Sequence, residues 1–259
     1  MKEFDRLVEI VRVLRNPQNG CPWDKEQTHS SLIPNFIEEL YEAVEAIENN
    51  DFEHLSEELG DLLLHIIMQA QIASEENLFQ IEDILKKINE KLIRRHPHIF
   101  GKQKLNNAKD VKNNWERIKL KEKTQRKSVL EGIPKHLPAL IKAQRIQEKA
   151  AAVGFDWHDE LPAIEKLDEE IEEFKEAYQS KDEKAMKDEL GDLFFSLVNI
   201  SRKLGYDAES ILNAASAKFA ERFRKIEEHH NHNHEKMRQT SLEKLDEIWR
   251  KVKNERHQP

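Results

Sequence analysis

Two sets of carboxylates in this chain share one spacing. Glu39, Glu42, Glu58 and Asp61 lie within EELYE and ELGD, and Glu170, Glu173, Glu189 and Asp192 lie within EEIEE and a second ELGD. Both sets read E-x2-E-x15-E-x2-D. Residues three apart share a helical face, so each set can be two facing helices that contribute two carboxylates apiece to a common point. Four converging acidic oxygen donors ask for a divalent cation. A set that needs neither Cys nor His suits a hard ion, magnesium first and manganese as the alternative.

The elements that must carry these residues are helices. Charged residues make up 36% of the 259 positions, glycine occurs only 7 times, and the apolar residues are spaced for helices rather than alternating for strands. The expected fold class is therefore all-α, with enough chain for two modest domains that each bury a core. A net charge of -8 argues against binding nucleic-acid polymers, which need a basic surface. Small polyanions stay in play if a metal and local Lys or Arg offset the field. Cys21 is the only cysteine, so no intramolecular disulfide can form. MKEFDRLVEIVRVLRNP lacks the apolar stretch of a signal peptide, and no apolar run reaches membrane-spanning length. A cytoplasmic, membrane-free protein is the expectation.

The repetition extends beyond the carboxylates. Trp23 in CPWDKEQT pairs with Trp157 in GFDWHDE, Lys91 and Arg95 pair with Lys218 and Arg222, and Trp115 and Lys119 pair with Trp249 and Lys253. We read residues 1–125 as one helical domain, 126–139 as a connector and 140–259 as a second domain. The connector holds Gly132, Pro134 and Pro138, which interrupt helix formation. Each repeat should hold four main helices, in the second roughly Leu161–Ser180, Asp182–Leu204, Asp207–His229 and Ser241–Asn254. Asp51, Asp182, Asp207 and Ser241 stand where N-caps belong. The short first connection makes the two acidic helices antiparallel neighbours.

A Glu-rich helix taken alone reads as a solvated face. The ELGD helices argue otherwise, because their acidic pairs begin sequences that are apolar nearly all round, where unpaired carboxylates are costly. On a helical wheel Leu167, Ile171, Phe174 and Tyr178 form the core stripe, with Glu170 and Glu173 at its edge and Lys166 between those carboxylates. Lys166 is either a group that engages phosphate or an i,i+4 partner of Glu170. Asn199 falls on the stripe of Glu189 and Asp192. The first repeat has Asn35 in place of Lys166 and Met68 in place of Asn199, so it keeps the acidic set but not the groups suited to a substrate. His65, on the first repeat's acidic stripe, reads as a core histidine, and HHNHNH at 229–234 as a polar loop joining two helices.

These motifs resemble the MazG family of nucleoside triphosphate pyrophosphohydrolases, all-α enzymes. The likeness runs the full length through CPWDKEQT, EELYEA, both ELGDL segments, RRHPHIF, GIPKHLPAL, VGFDW, KFAERF and WRKVK. It implies two tandem MazG-like helical bundles and hydrolysis of nucleoside triphosphates to monophosphate and pyrophosphate, dependent on magnesium and tolerant of the base. It implies Glu170, Glu173, Glu189 and Asp192 as metal ligands, with Glu39, Glu42, Glu58 and Asp61 as a parallel set. Lys166, Glu169, Lys218, Arg222, Trp249 and Lys253 match positions associated with substrate binding or catalysis. One position departs: where members can carry a lysine four residues before the third ligand, this chain has Ala185, with Lys184 and Lys187 nearby.

Phosphoryl chemistry needs charge neutralisation and in-line positioning more than covalent help. Lys218, Arg222 and Lys253 are expected to hold phosphates, Asn199 to assist, and Glu169 to orient or deprotonate the attacking water. Trp249 is read both as a base-stacking platform and as core. The role of the chain is expected to be nucleotide-pool housekeeping, and a homodimer is expected because related bundles complete their sites by pairing. Two other functions compete. A di-metal carboxylate oxidoreductase would need Glu-x-x-His pairs, which neither ELGD segment supplies. A non-catalytic helical interaction module would leave the acidic faces merely solvated.

Overall fold

The computed structural model describes residues 2–103, 107, 110, 111, 114, 115, 118, 122 and 127–255. Lys119 and the expected boundary at 125 lie outside them. Among the described residues the regular structure is helical, and no strand occurs. The chain separates into two compact units, Met1–Val111 and Lys112–Pro259.

In the first unit α1 (Lys2–Leu14) and the short α2 (Pro22–Glu26) precede the acidic pair α3 (Ile33–Asn49) and α4 (Phe52–Glu75). These are followed by α5 (Ile81–Arg95) and one turn, α6 (Pro97–Phe100). Helix α4 is the hub, packing against α1, α3 and α5. Its core gathers Val11, Leu32, Ile67, Met68, Ile72 and Ile81, with Phe4, Leu7 and Leu63 at the margin.

The second unit holds α7 (Ala139–Ala151), the acidic pair α8 (Leu161–Ser180) and α9 (Glu183–Lys203), then α10 (Ala208–His229), α11 (His234–Gln239) and α12 (Leu242–Glu255). Helix α9 packs on α8, α7 and α10, and α10 packs on α12 through Ile226, Ile248 and Val252. Helices α1 and α7 were not among the four expected per repeat. They cover the second acidic helix of each unit, a tertiary role that leaves little mark on local pattern.

Both acidic pairs turn on the same two residues. Asn50 (φ 56°) and Lys181 (φ 57°) adopt left-handed backbone at the end of α3 and α8, and their N–H groups bond back to carbonyls of the last turn. Asp51 and Asp182 then cap the next helix, accepting from the His54 N–H and from the Lys184 and Ala185 N–H groups. Asp207 accepts from Ser210 N–H, and Ser241 Oγ from Lys244 N–H. All four expected caps are present.

Two packing expectations need correction. The buried residues of α8 are Ala163, Glu170 and Ala177, whereas Tyr178 is 68% exposed. On α3 the buried residues are Ala43 and Ala46. Of the large apolar groups on the expected stripe of α8, Leu167, Ile171 and Phe174 are half-buried. The ELGD helices are also not covered all round, since Leu59 on α4 and Leu190, Phe194 and Leu197 on α9 are exposed. HHNHNH is a built turn: Asn231 and His232 have positive φ, Asn233 caps α11, and buried His230 bonds the Ile226 carbonyl and Thr240 Oγ1.

Candidate metal centre and active site

Each acidic helix pair brings three carboxylates of its expected four into one small volume. In the first unit ligand oxygens of Glu39, Glu58 and Asp61 lie within 4.8 Å of one another, and in the second those of Glu170, Glu173 and Glu189 do so. Glu42 and Asp192 stand outside these triplets, yet close enough for their charge to be felt. Burial pushes the Glu39 carboxyl up to about 7, reinforced by contact with Glu58 and by the charges of Asp61 and Glu42. Glu189 is raised as well, by desolvation first and then by Glu173, Glu170 and Asp192. Like charges are held together without full compensation, which a cation would supply.

The residues present fit a hard divalent ion. Every oxygen in the two triplets is a carboxylate oxygen. Glu58 is buried, and its Oε2 has no hydrogen-bond partner. In the second unit an ammonium group already sits against the acids: Lys166 Nζ lies 2.7 Å from Glu169 Oε1 and 2.8 Å from Glu170 Oε1. These two carboxylates, Glu169 first, hold the Lys166 ammonium firmly protonated. Of the two sequence readings of Lys166, the geometry shows the i,i+4 partner of Glu170.

The remaining expected residues divide into groups. Arg222 stacks over the Trp249 ring, its guanidinium carbon 5.7 Å from the centroid, and its Nε is buried without a hydrogen-bond partner. Trp249 also packs on Phe219, ring centroids 5.1 Å apart, beside Ile248 and Val252, so the core reading of Trp249 describes this conformation. Lys218 lies one turn before Arg222 on α10, and Lys253 one turn after Trp249 on α12; both are exposed. Asn199 is engaged elsewhere: its Oδ1 accepts from Arg202 Nε at 3.1 Å and Nη2 at 2.7 Å. Arg202 in turn grips Asp156 in the segment before α8, with Nη2 at 2.7 Å from Oδ1.

Sequence reasoning passed over two features. One is this Asp156–Arg202–Asn199 network, in which Asp156 is far in sequence from the other two. The other is His54, whose Nε2 lies 2.8 Å from Glu58 Oε1. Its i,i+4 spacing to a ligand candidate was a readable signal.

No helix among the described residues is long and apolar enough to cross a membrane. The family profile described as MazG nucleotide pyrophosphohydrolase domain matches residues 27–100 and 159–227, once in each unit and around each acidic helix pair. A Thermotoga maritima protein named "Nucleoside triphosphate pyrophosphohydrolase/pyrophosphatase MazG" is 48% identical over 251 residues, covering 96% of this chain and 95% of that one. An Escherichia coli K12 protein named "Nucleoside triphosphate pyrophosphohydrolase" is 44% identical over 259 residues, covering 98% of each chain. The chain, with its duplicated acidic helix pair, belongs to the MazG nucleotide pyrophosphohydrolase family.

Proposed function

We propose that this chain hydrolyses nucleoside triphosphates to monophosphate and pyrophosphate at its second unit, as a magnesium-dependent enzyme of broad base tolerance. The observation that carries this reading is the convergence of Glu170, Glu173 and Glu189 with Lys166 bonded across Glu169 and Glu170. Family membership and the names of the relatives support the reaction class. The helical-module alternative does not account for three carboxylates gathered in each unit, and among the described residues no His joins either triplet, as an oxidoreductase of the di-metal type would require.

Glu170, Glu173, Glu189 and Asp192 would hold magnesium, which when bound neutralises phosphate oxygens and polarises the phosphoryl group. Lys218, Arg222 and Lys253 bind and orient the remaining triphosphate charge. Glu169 takes the proton of the attacking water, held in place by its bond to Lys166. Asn199 acts through Arg202 and not directly on substrate, because its acceptor oxygen is already used. A homodimer is supported by the uncovered stripe of Ile33, Ile37, Leu40, Val44 and Ile47 on α3, all exposed.

The test is to incubate the protein with each nucleoside triphosphate and magnesium and identify the products for wild type, Glu39→Ala and Glu170→Ala. Pyrophosphate is expected, with the larger loss in Glu170→Ala. Release of orthophosphate would overturn the reaction, and loss only in Glu39→Ala would overturn the choice of unit.

A further inference from the structure

We propose that His54 is a positioning residue for a divalent-cation site in the first unit, fixing Glu58 so that its Oε2 faces the cation. The proposal rests on reading Glu39, Glu58 and Asp61 as cation ligands, and adds a residue that this reading does not contain.

Helix α4 starts at Phe52, capped by Asp51, whose carboxylate accepts the His54 N–H at 3.1 Å. One turn later Glu58 points inward, its side chain only 7% exposed, while His54 stays 43% exposed. From that partly wet position the His54 imidazole reaches down and engages Glu58 Oε1 at 2.8 Å. The two oxygens of this carboxylate thereby become different. Oε1 is occupied, and Oε2 is buried without a hydrogen-bond partner, on a residue of the acidic triplet. Leaving a buried acceptor unsatisfied costs about 1–3 kcal/mol, so a folded protein that does so at one chosen oxygen has a partner for it. Glu39 and Asp61 are the neighbouring groups, so a cation would satisfy this oxygen and the acids beside it at once.

Histidine hydrogen-bonded to a ligating carboxylate fixes the ligand's orientation from outside the coordination shell. The second unit does this from the opposite helix. Its counterpart of His54 is Ala185, which can hold nothing, and Lys166 on α8 grips Glu170 instead, where the first unit has Asn35. With no ammonium of the described residues lodged among its acids, the first cluster answers to a bare cation rather than to a cation carrying phosphates.

The test uses the full chain with the second cluster disabled by Glu170→Ala and Glu189→Ala. Manganese is titrated in as the probe, with binding counted from the loss of the free-ion electron paramagnetic resonance signal and folding checked by circular dichroism. One bound manganese is expected in this background. Adding His54→Ala should weaken it about tenfold or more, and His54→Gln, whose amide can still donate to Glu58, should restore most of the affinity. Absence of any bound manganese in the parent would overturn the ligand reading and the proposal together. Equal affinity with and without His54→Ala would overturn the role of His54 alone. Equal weakening by Ala and Gln in folded protein would also overturn it, because orientation of Glu58 would then not be the cause.

Discussion

The two acidic clusters share a spacing and a turn, yet each is weighted toward a different helix. In the first unit two of the three converging carboxylates, Glu58 and Asp61, come from the second helix of the pair, and so does the residue that holds them, His54. In the second unit two of three, Glu170 and Glu173, come from the first helix, as does Lys166. The two units keep the same carboxylate positions and carry the counter-group on opposite helices of the pair. The lesson is that a metal motif records where ligands stand, while the residue that neutralises or orients them decides what the site can take. A lysine bonded to two carboxylates can follow a phosphate; a histidine bonded to one carboxylate serves the ligand.

The largest test of this asymmetry is catalytic. Glu170→Ala or Glu189→Ala should lower kcat by at least about 10²–10³-fold, the scale of losing a principal charge-stabilising group, whereas Glu39→Ala should cost far less. Steady-state rates of pyrophosphate release measure this. Equal losses from both units would erase the comparison.

A second contrast lies at the far end of each acidic pair, where the segment carrying the early Trp is tied down with opposite polarity. In the first unit buried Arg15 bonds Glu75 on α4 and the carbonyls of Asp24 and Gln27, which follow Trp23. In the second the acid is in the segment, Asp156 beside Trp157, and the bases, Arg202 and Lys203, are on α9. Arg15 supports Glu75, and Arg202 and Lys203 support Asp156, holding both carboxyls below their ordinary range through hydrogen bonds. Removing the carboxylates should not cost the same. Glu75→Ala leaves the buried Arg15 guanidinium its two carbonyl bonds but removes its counter-charge, and should destabilise by about 3 kcal/mol. Asp156→Ala leaves Arg202 its bonds to Asn199 and should cost about 1–2 kcal/mol. Urea unfolding followed by circular dichroism gives the order, and a larger loss for Asp156→Ala would show that the clamps are not equivalent in the way proposed.

Much of this architecture was legible because it is local. Asp51, Asp182, Asp207 and Ser241 act within three residues of themselves, so capping chemistry identified them, and helical period placed the E-x2-E and E-x2-D pairs on common faces. What escaped was set by contacts between elements. Tyr178 sits on the apolar stripe of α8, but the close contact uses Ala163 and Ala177, and a wheel does not know how near its neighbour comes. Asn199 shares a stripe with Glu189 and Asp192, yet its oxygen goes to Arg202 because Asp156, far away in sequence, places the guanidinium there.

The smallest effect is the most specific to the first unit. Because the Glu39 carboxyl is pushed up to about 7 from an ordinary 4.5, the folded chain holds a proton there that the unfolded chain has released between those values. In that window the folded state binds more protons, so stability falls as pH rises through it. Glu39→Gln removes the dependence. It should match wild type near pH 4, where Glu39 is neutral anyway, and exceed it above pH 7 by on the order of 1 kcal/mol, the full shift being discounted for a side chain that solvent partly screens. Thermal unfolding across pH reads both limbs. Added manganese should narrow the gap above pH 7 by stabilising wild type more than Glu39→Gln, because only wild type offers the third carboxylate. In the second unit Glu170→Gln gains no such advantage, since it discards half of Lys166's ionic support. A stability gain from Glu170→Gln as large as that from Glu39→Gln would mean that the two clusters carry the same strain, and that Lys166 does not compensate it.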